Sequence, residues 1–169
     1  DIQADKQLSK VFNNQKVMLE VEGYKDPVLY LLEAGYLARP QFKLLNAEPG
    51  LQLTEDDKAS LANKYDVSQE LLDQIGLSPA RNFKIVAAAE DLAGRHNRII
   101  VFAPSVQAAR TIAAVLLARG LTAVYVTGDM ESADRKRAID LFKSSRAEPI
   151  VMCNFGVLTT GFDAPKTSA

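Results

Sequence analysis

The sequence predicts an α/β protein: a parallel sheet with flanking helices, preceded by a mainly helical N-terminal stretch. From Arg98 onward, short apolar runs alternate with helical stretches in the order strand, helix, strand, helix, strand. Crossovers of that length imply parallel strands wound right-handed. Before Arg98 no sheet rhythm is visible, and helix caps and stops punctuate the chain instead.

In chain order, Asp26 is a natural N-cap, Pro27 fits the first helical position, and Gly35 suits a left-handed stop. Val28, Leu31 and Leu32 supply the apolar stripe of that helix, and Pro40 blocks continuation. Thr54 followed by Glu55, Asp56 and Asp57 reads as a second helix start, with acids where the macrodipole favours them and Leu61 and Ala62 facing inward. Ser68 is expected to cap a short helix through Ile75 that Gly76 closes. Ser78 and Pro79 start another, running to about Leu92 and ended by Gly94.

The run Ile99-Ile100-Val101-Phe102 reads as a strand buried on both faces. Residues 105–119 follow as a helix with Val106, Ala109, Ala113 and Leu116 at core spacing and Gly120 as its stop. Thr122–Val126 is the second strand, 132–143 a helix with Arg135, Ala138, Ile139 and Phe142 on one face, and Ile150–Cys153 the third strand.

Composition excludes several classes. Formal net charge is -1 over 169 residues, so no global basic field announces nucleic acid, and any phosphate contact must be local. The single cysteine, Cys153, sits in an apolar run and reads as a small core side chain. The single histidine, His96, has no cysteine near it and reads as a solvated loop residue, so no metal site is expected. No apolar stretch is long enough to span a bilayer and no signal peptide opens the chain, which makes the cytoplasm the expected compartment.

Ligands of an open parallel sheet bind outside the carboxyl ends of its strands. Three loops leave that edge: Ala103-Pro104-Ser105, Thr127-Gly128-Asp129-Met130, and Asn154 to Pro165. Small or hydroxylated residues in them leave backbone N–H and O–H groups for phosphate oxygens.

The content of these loops carries a resemblance. Arg98 to Ser105, RIIVFAPS, resembles motif IV of superfamily 2 helicases. Val126 to Arg135, VTGDMESADR, resembles the strand end and helix that bear their QxxR motif, and Ile150 to Pro165, IVMCNFGVLTTGFDAP, resembles motif V. The LTTGFDAP wording, with the connector EAGYLARP at Glu33 to Pro40, is closer to restriction-enzyme translocases and DNA-repair helicases than to RNA-remodelling relatives. The resemblance implies a RecA-like second motor lobe. It divides the chain into 1–45, the end of a first lobe and connector; 46–97, a helical insertion and lead-in helix; and 98–169, a helicase C-terminal domain cut short before motif VI.

By this resemblance Gly161 and Asp163 contact nucleotide, the carboxylate accepting from ribose hydroxyls. Ser105, Thr127, Gly128 and Arg135 are placed on the phosphates of one strand, with Thr159 or Thr160 supplying a further contact. Each has a plainer reading: a turn glycine for Gly161, an Asx-turn for Asp163, a solvated charge for Arg135, a helix cap for Ser105. The glutamine of QxxR is Ser132 here, and Phe155-Gly156 replaces the family's threonine-aspartate pair.

No G-x-x-x-x-G-K-[ST] loop or DExH box occurs, so no catalytic residue is assigned. The implied partners are the first lobe of the same parent chain and nucleic acid, DNA ahead of RNA. The implied cofactors are ATP and Mg²⁺, held mainly by that first lobe. An independent α/β nucleotide-binding module or a protein-interaction module is the alternative.

Overall fold

A computed structural model describes residues 20–46, 53–58, 67–158 and 162–169. The chain divides into two compact units, Asp1–Leu44 and Leu45–Ala169. In the first, helix α1 (Pro27–Glu33) starts as expected: Asp26 accepts from the Val28 N–H at 2.9 Å, and Pro27 opens the helix. Gly35, at φ 78°, lets the Tyr36 and Leu37 N–H groups turn back onto the Leu31 carbonyl. Tyr24, Tyr30 and Tyr36 form a chain of ring contacts beside it.

The second unit holds the sheet. Residues 55–58 are helical, and Thr54 and Asp57 cap one another reciprocally: the Asp57 N–H donates to Thr54 Oγ1, and the Thr54 N–H donates to Asp57 Oδ2. The Thr54 hydroxyl also donates to Asp57 Oδ2, at 2.7 Å, and this bond first, with the Thr54 N–H second, holds the Asp57 carboxyl below its usual range. The inward positions expected of Leu61 and Ala62 lie outside the described residues.

Helix α2 (Gln69–Leu77) is capped by Ser68 and helix α3 (Pro79–Ala93) by Ser78. Strand β1 (Arg98–Phe102), helix α4 (Val106–Ala118), strand β2 (Thr122–Thr127), helix α5 (Ser132–Lys143) and strand β3 (Ile150–Phe155) follow. The strand order is β1-β3-β2, both pairs parallel, in register Arg98 with Ile150 and Thr122 with Ile150.

Strand residues alternate between two cores. Ile99, Ala123, Val151 and Cys153 pack with Val86 and Ala89 of α3 and Ala109, Ile112, Ala113 and Leu116 of α4. Val126, Ile150 and Met152 pack with Ala138 and Phe142 of α5 and with Leu158. This period of two, with helices on both faces, is why β3 reads as unbroken apolar sequence and is buried from Ile150 to Asn154.

Two local expectations are corrected. Gly76 does not close α2: the helix runs on to Leu77, and Gly76 is buried inside it. A Cβ at Gly76 would lie 2.5 Å from Ser105 Oγ, so close approach of two elements accounts for the glycine. Nor is β1 buried throughout. It lies at the end of the strand order, and Phe102 is 65% exposed.

Candidate nucleic-acid interface at the carboxyl edge of the sheet

Because all three strands run parallel, the loops after β1, β2 and β3 leave one edge. A backbone bond ties two of them together, the Ala103 N–H donating to the Asn154 carbonyl at 2.8 Å.

The loop after β1 ends in Ser105, the N-cap of α4, whose Oγ accepts from the Ala108 N–H at 3.2 Å. Ser105 is buried beneath Gly76. Its hydroxyl therefore serves the cap, while the remaining first-turn N–H groups of α4 face the edge without intrahelical partners.

The loop after β2 has a fixed internal frame. Thr127 is fully buried and donates from Oγ1 to Asp129 Oδ1 at 2.6 Å. Arg110 of α4 donates to Asp129 Oδ2 at 2.6 Å, and its guanidinium lies 5.6 Å from the Tyr125 ring centroid. The Thr127 hydroxyl beside Asp129 holds that carboxyl below the usual carboxylate range, and Arg110 adds to the effect. Between these anchored side chains Gly128 is exposed, with nothing within 4 Å of where a Cβ would stand. Half-buried Arg135, in the first turn of α5, donates to the Met130 carbonyl at 3.4 Å and braces the same loop.

The loop after β3 begins at Asn154, which sequence reasoning used only as a boundary. Asn154 is buried, and its Oδ1 accepts from the Val157 and Leu158 N–H groups at 3.3 and 3.2 Å. Gly156, at φ 69°, makes that turn possible. An asparagine two residues before a glycine at the end of an apolar run is a turn signature that could have been read from the sequence. Phe155 packs against the first core. Thr159, Thr160 and Gly161 lie outside the described residues. Beyond them, Phe162 packs on Phe142 and under the Lys143 ammonium, fixing the chain on either side of Asp163 together with Ala164. The Asp163 carboxylate is exposed, and among the described residues no hydrogen bond or ion pair engages it.

A second residue missed in the sequence lies below the edge. Arg98 is 2% exposed, and its guanidinium donates to four carbonyls, those of Asn97, Ser144, Arg146 and Glu148, at 2.6–3.1 Å. It ties the end of α5 and the approach to β3 onto the start of β1. Cys153 is a core side chain, its thiol pushed up to about 12 by burial. His96 Nδ1 lies 3.0 Å from Ser168 Oγ. Among the described residues no cluster of three or more His, Cys, Asp or Glu could hold a metal ion, and no helix is long and apolar enough to cross a membrane.

A parallel sheet with helices on both faces and three loops gathered at its carboxyl edge is the frame of a RecA-like α/β domain. The family described as Helicase conserved C-terminal domain matches residues 83–169, just over half of the chain. The chain belongs to this family and carries a helicase-type motor lobe. Comparison with curated proteins finds no match.

Proposed function

We propose that this chain is the second motor lobe of an ATP-dependent helicase or translocase, from the branch of restriction-enzyme translocases and DNA-repair helicases. It works on DNA in the cytoplasm, paired with a first RecA-like lobe of the same parent protein. The carrying observation is the convergence of three anchored loops on one sheet edge in a helicase C-terminal domain. Gly128, the first-turn N–H groups of α4 and Arg135 offer phosphate contacts that read no sequence. By the resemblance to helicase motif V, Thr159 or Thr160 supplies a further contact, and the Ser105 and Thr127 hydroxyls act indirectly, by fixing the loops that carry them.

ATP is bound by Asp163 and Gly161, with its phosphates and Mg²⁺ held by the first lobe. The exposed Asp163 carboxylate, with no partner among the described residues, suits ribose hydroxyl donors. Closing the lobes around nucleotide brings this edge against the strand, and release after hydrolysis relaxes the grip. With no phosphate-binding loop in these 169 residues, the chain by itself turns over no ATP.

The test is Asp163→Ala in the full-length protein, with ATP turnover and melting temperature measured on one preparation. Loss of one or two hydrogen bonds to a carboxylate should cost about 1.5–3 kcal/mol of coupling to nucleotide, with melting unchanged. Lower melting with normal turnover per folded molecule would make Asp163 a turn residue and remove it from the site.

A further inference from the structure

Arg81 stands apart from the other arginines of residues 45–169. Arg95, Arg110, Arg119, Arg137 and Arg146 each pair with a carboxylate, while Arg98 and Arg135 donate to carbonyls. The Arg81 guanidinium has neither kind of partner among the described residues, and its Nη1 is buried without any acceptor. Partial burial alone pulls its ionisation below the usual arginine value. It also sits in the first turn of α3, where the helix macrodipole repels a cation. A partly desolvated, unpaired guanidinium at the positive end of a helix is costly in the free protein. Nη1 is closed to a ligand, so an anion meets the half-buried guanidinium at its remaining N–H groups.

Its position says which surface that anion occupies. The short connection from α3 to β1 reverses the chain, so the first turn of α3 lies at the carboxyl end of β1. Buried Asn82, the next residue, donates from Nδ2 to the Gly76 carbonyl at 2.7 Å, and Gly76 abuts Ser105. The Asn82 and Gly76 contacts thus hold the first turn of α3, which carries Arg81, near Ser105 at the carboxyl edge of the sheet.

We propose that Arg81 is a phosphate-gripping residue of this lobe, donating to a backbone phosphate of the bound nucleic-acid strand. The proposal rests on the strand-gripping reading of the edge given above and adds a contact lying outside the three loops. A planar guanidinium with a vacant N–H edge matches phosphate oxygens and reads no base. The contact is therefore independent of sequence.

The experiment measures binding of fluorescein-labelled oligo-dT and oligo-dA to the full-length protein by anisotropy over a series of KCl concentrations. Arg81→Met should weaken both on the order of tenfold, the size of one charge-assisted contact. It should also flatten the plot of log K against log salt by about 0.7, the value for one single-strand phosphate. Its melting temperature should equal or exceed that of the wild type, because an unpaired buried donor is removed. Arg81→Lys, which keeps the charge without the fork, should keep the slope and lose less affinity. An unchanged slope in Arg81→Met beside normal wild-type binding overturns the Arg81 assignment and leaves the strand-gripping reading standing. A loss confined to ADP affinity, measured in parallel, overturns it in favour of a nucleotide phosphate. Wild-type binding without salt dependence removes both.

Discussion

Arg98→Met removes a guanidinium that is almost fully buried and donates to four carbonyls. Hydrogen bonds to a charged group contribute about 1.5–3 kcal/mol each. Their plain sum overshoots, because removing the guanidinium also removes its own desolvation cost, which is several kcal/mol. What remains is the cost of leaving carbonyls of Ser144, Arg146 and Glu148 facing an apolar side chain. The net loss expected is about 3–5 kcal/mol, since each buried carbonyl left without a donor costs about 1–3 kcal/mol. Against a total stability of about 5–15 kcal/mol, that approaches the limit for folding at growth temperature. For a domain of this size the melting temperature should fall by roughly 10–20 °C. Circular-dichroism melting and urea titration of wild type, Arg98→Met and Arg98→Lys measure it. Lysine should fall between the two, since an ammonium cannot span the four carbonyls as a planar fork does. If Arg98→Met melts within about 2 °C of the wild type, the carbonyl clamp contributes little and the reasoning fails.

Two further outcomes follow from the same contacts. Gly76→Ala gains roughly 1 kcal/mol of helix propensity, yet its Cβ would stand 2.5 Å from Ser105 Oγ. Overpacking of about 1–3 kcal/mol should therefore prevail in urea unfolding, and a net stabilisation would show that α2 shifts freely. Asp129 has a carboxyl pKa held down by the Thr127 hydroxyl, so its contribution is complete above the unfolded carboxylate pKa and lost as pH falls through the lower folded one. The melting difference between wild type and Asp129→Asn should then be constant above about pH 4 and close below it. A difference that grows on acidification would contradict the assignment.

Local signals in the sequence located most of the frame. Asp26-Pro27 with Gly35, Thr54 as a helix start, and Ser68, Ser78 and Ser105 as caps all act within a few residues, and each is found where its residue type places it; the reciprocal cap between Thr54 and Asp57 is added by the structure. Strand alternation with helices likewise needs only periodicity. Two features turn instead on partners far along the chain. Gly76 has the look of a helix stop, but Ser105 decides its identity. Arg98 has the look of a charge before a strand. Its acceptors are backbone carbonyls of 144–148, which leave no trace in residue types. At the interface, the residue types of Ser105 and Thr127 indicated donors facing a ligand. Local hydrogen bonding claims both hydroxyls and leaves Gly128 as the open position. Arg81 carried no sequence signal, since nothing in a helix-start arginine reveals that it lacks an acid.

The strand order has a consequence for how the polypeptide acquires its shape. β1 and β2 never pair with each other; both pair with β3, which comes after them in the chain. During synthesis, therefore, no ladder can form among these strands until Ile150 and its successors have left the ribosome. Up to that moment Ile99, Ala123 and Val126 have only helical neighbours to cover them. Non-local pairing of this kind folds slowly and leaves strand edges open meanwhile. Until that point both outer strands lack the one strand that either of them pairs with. That is the stage at which a nascent-chain chaperone, or a second unfinished copy, would find the most to bind.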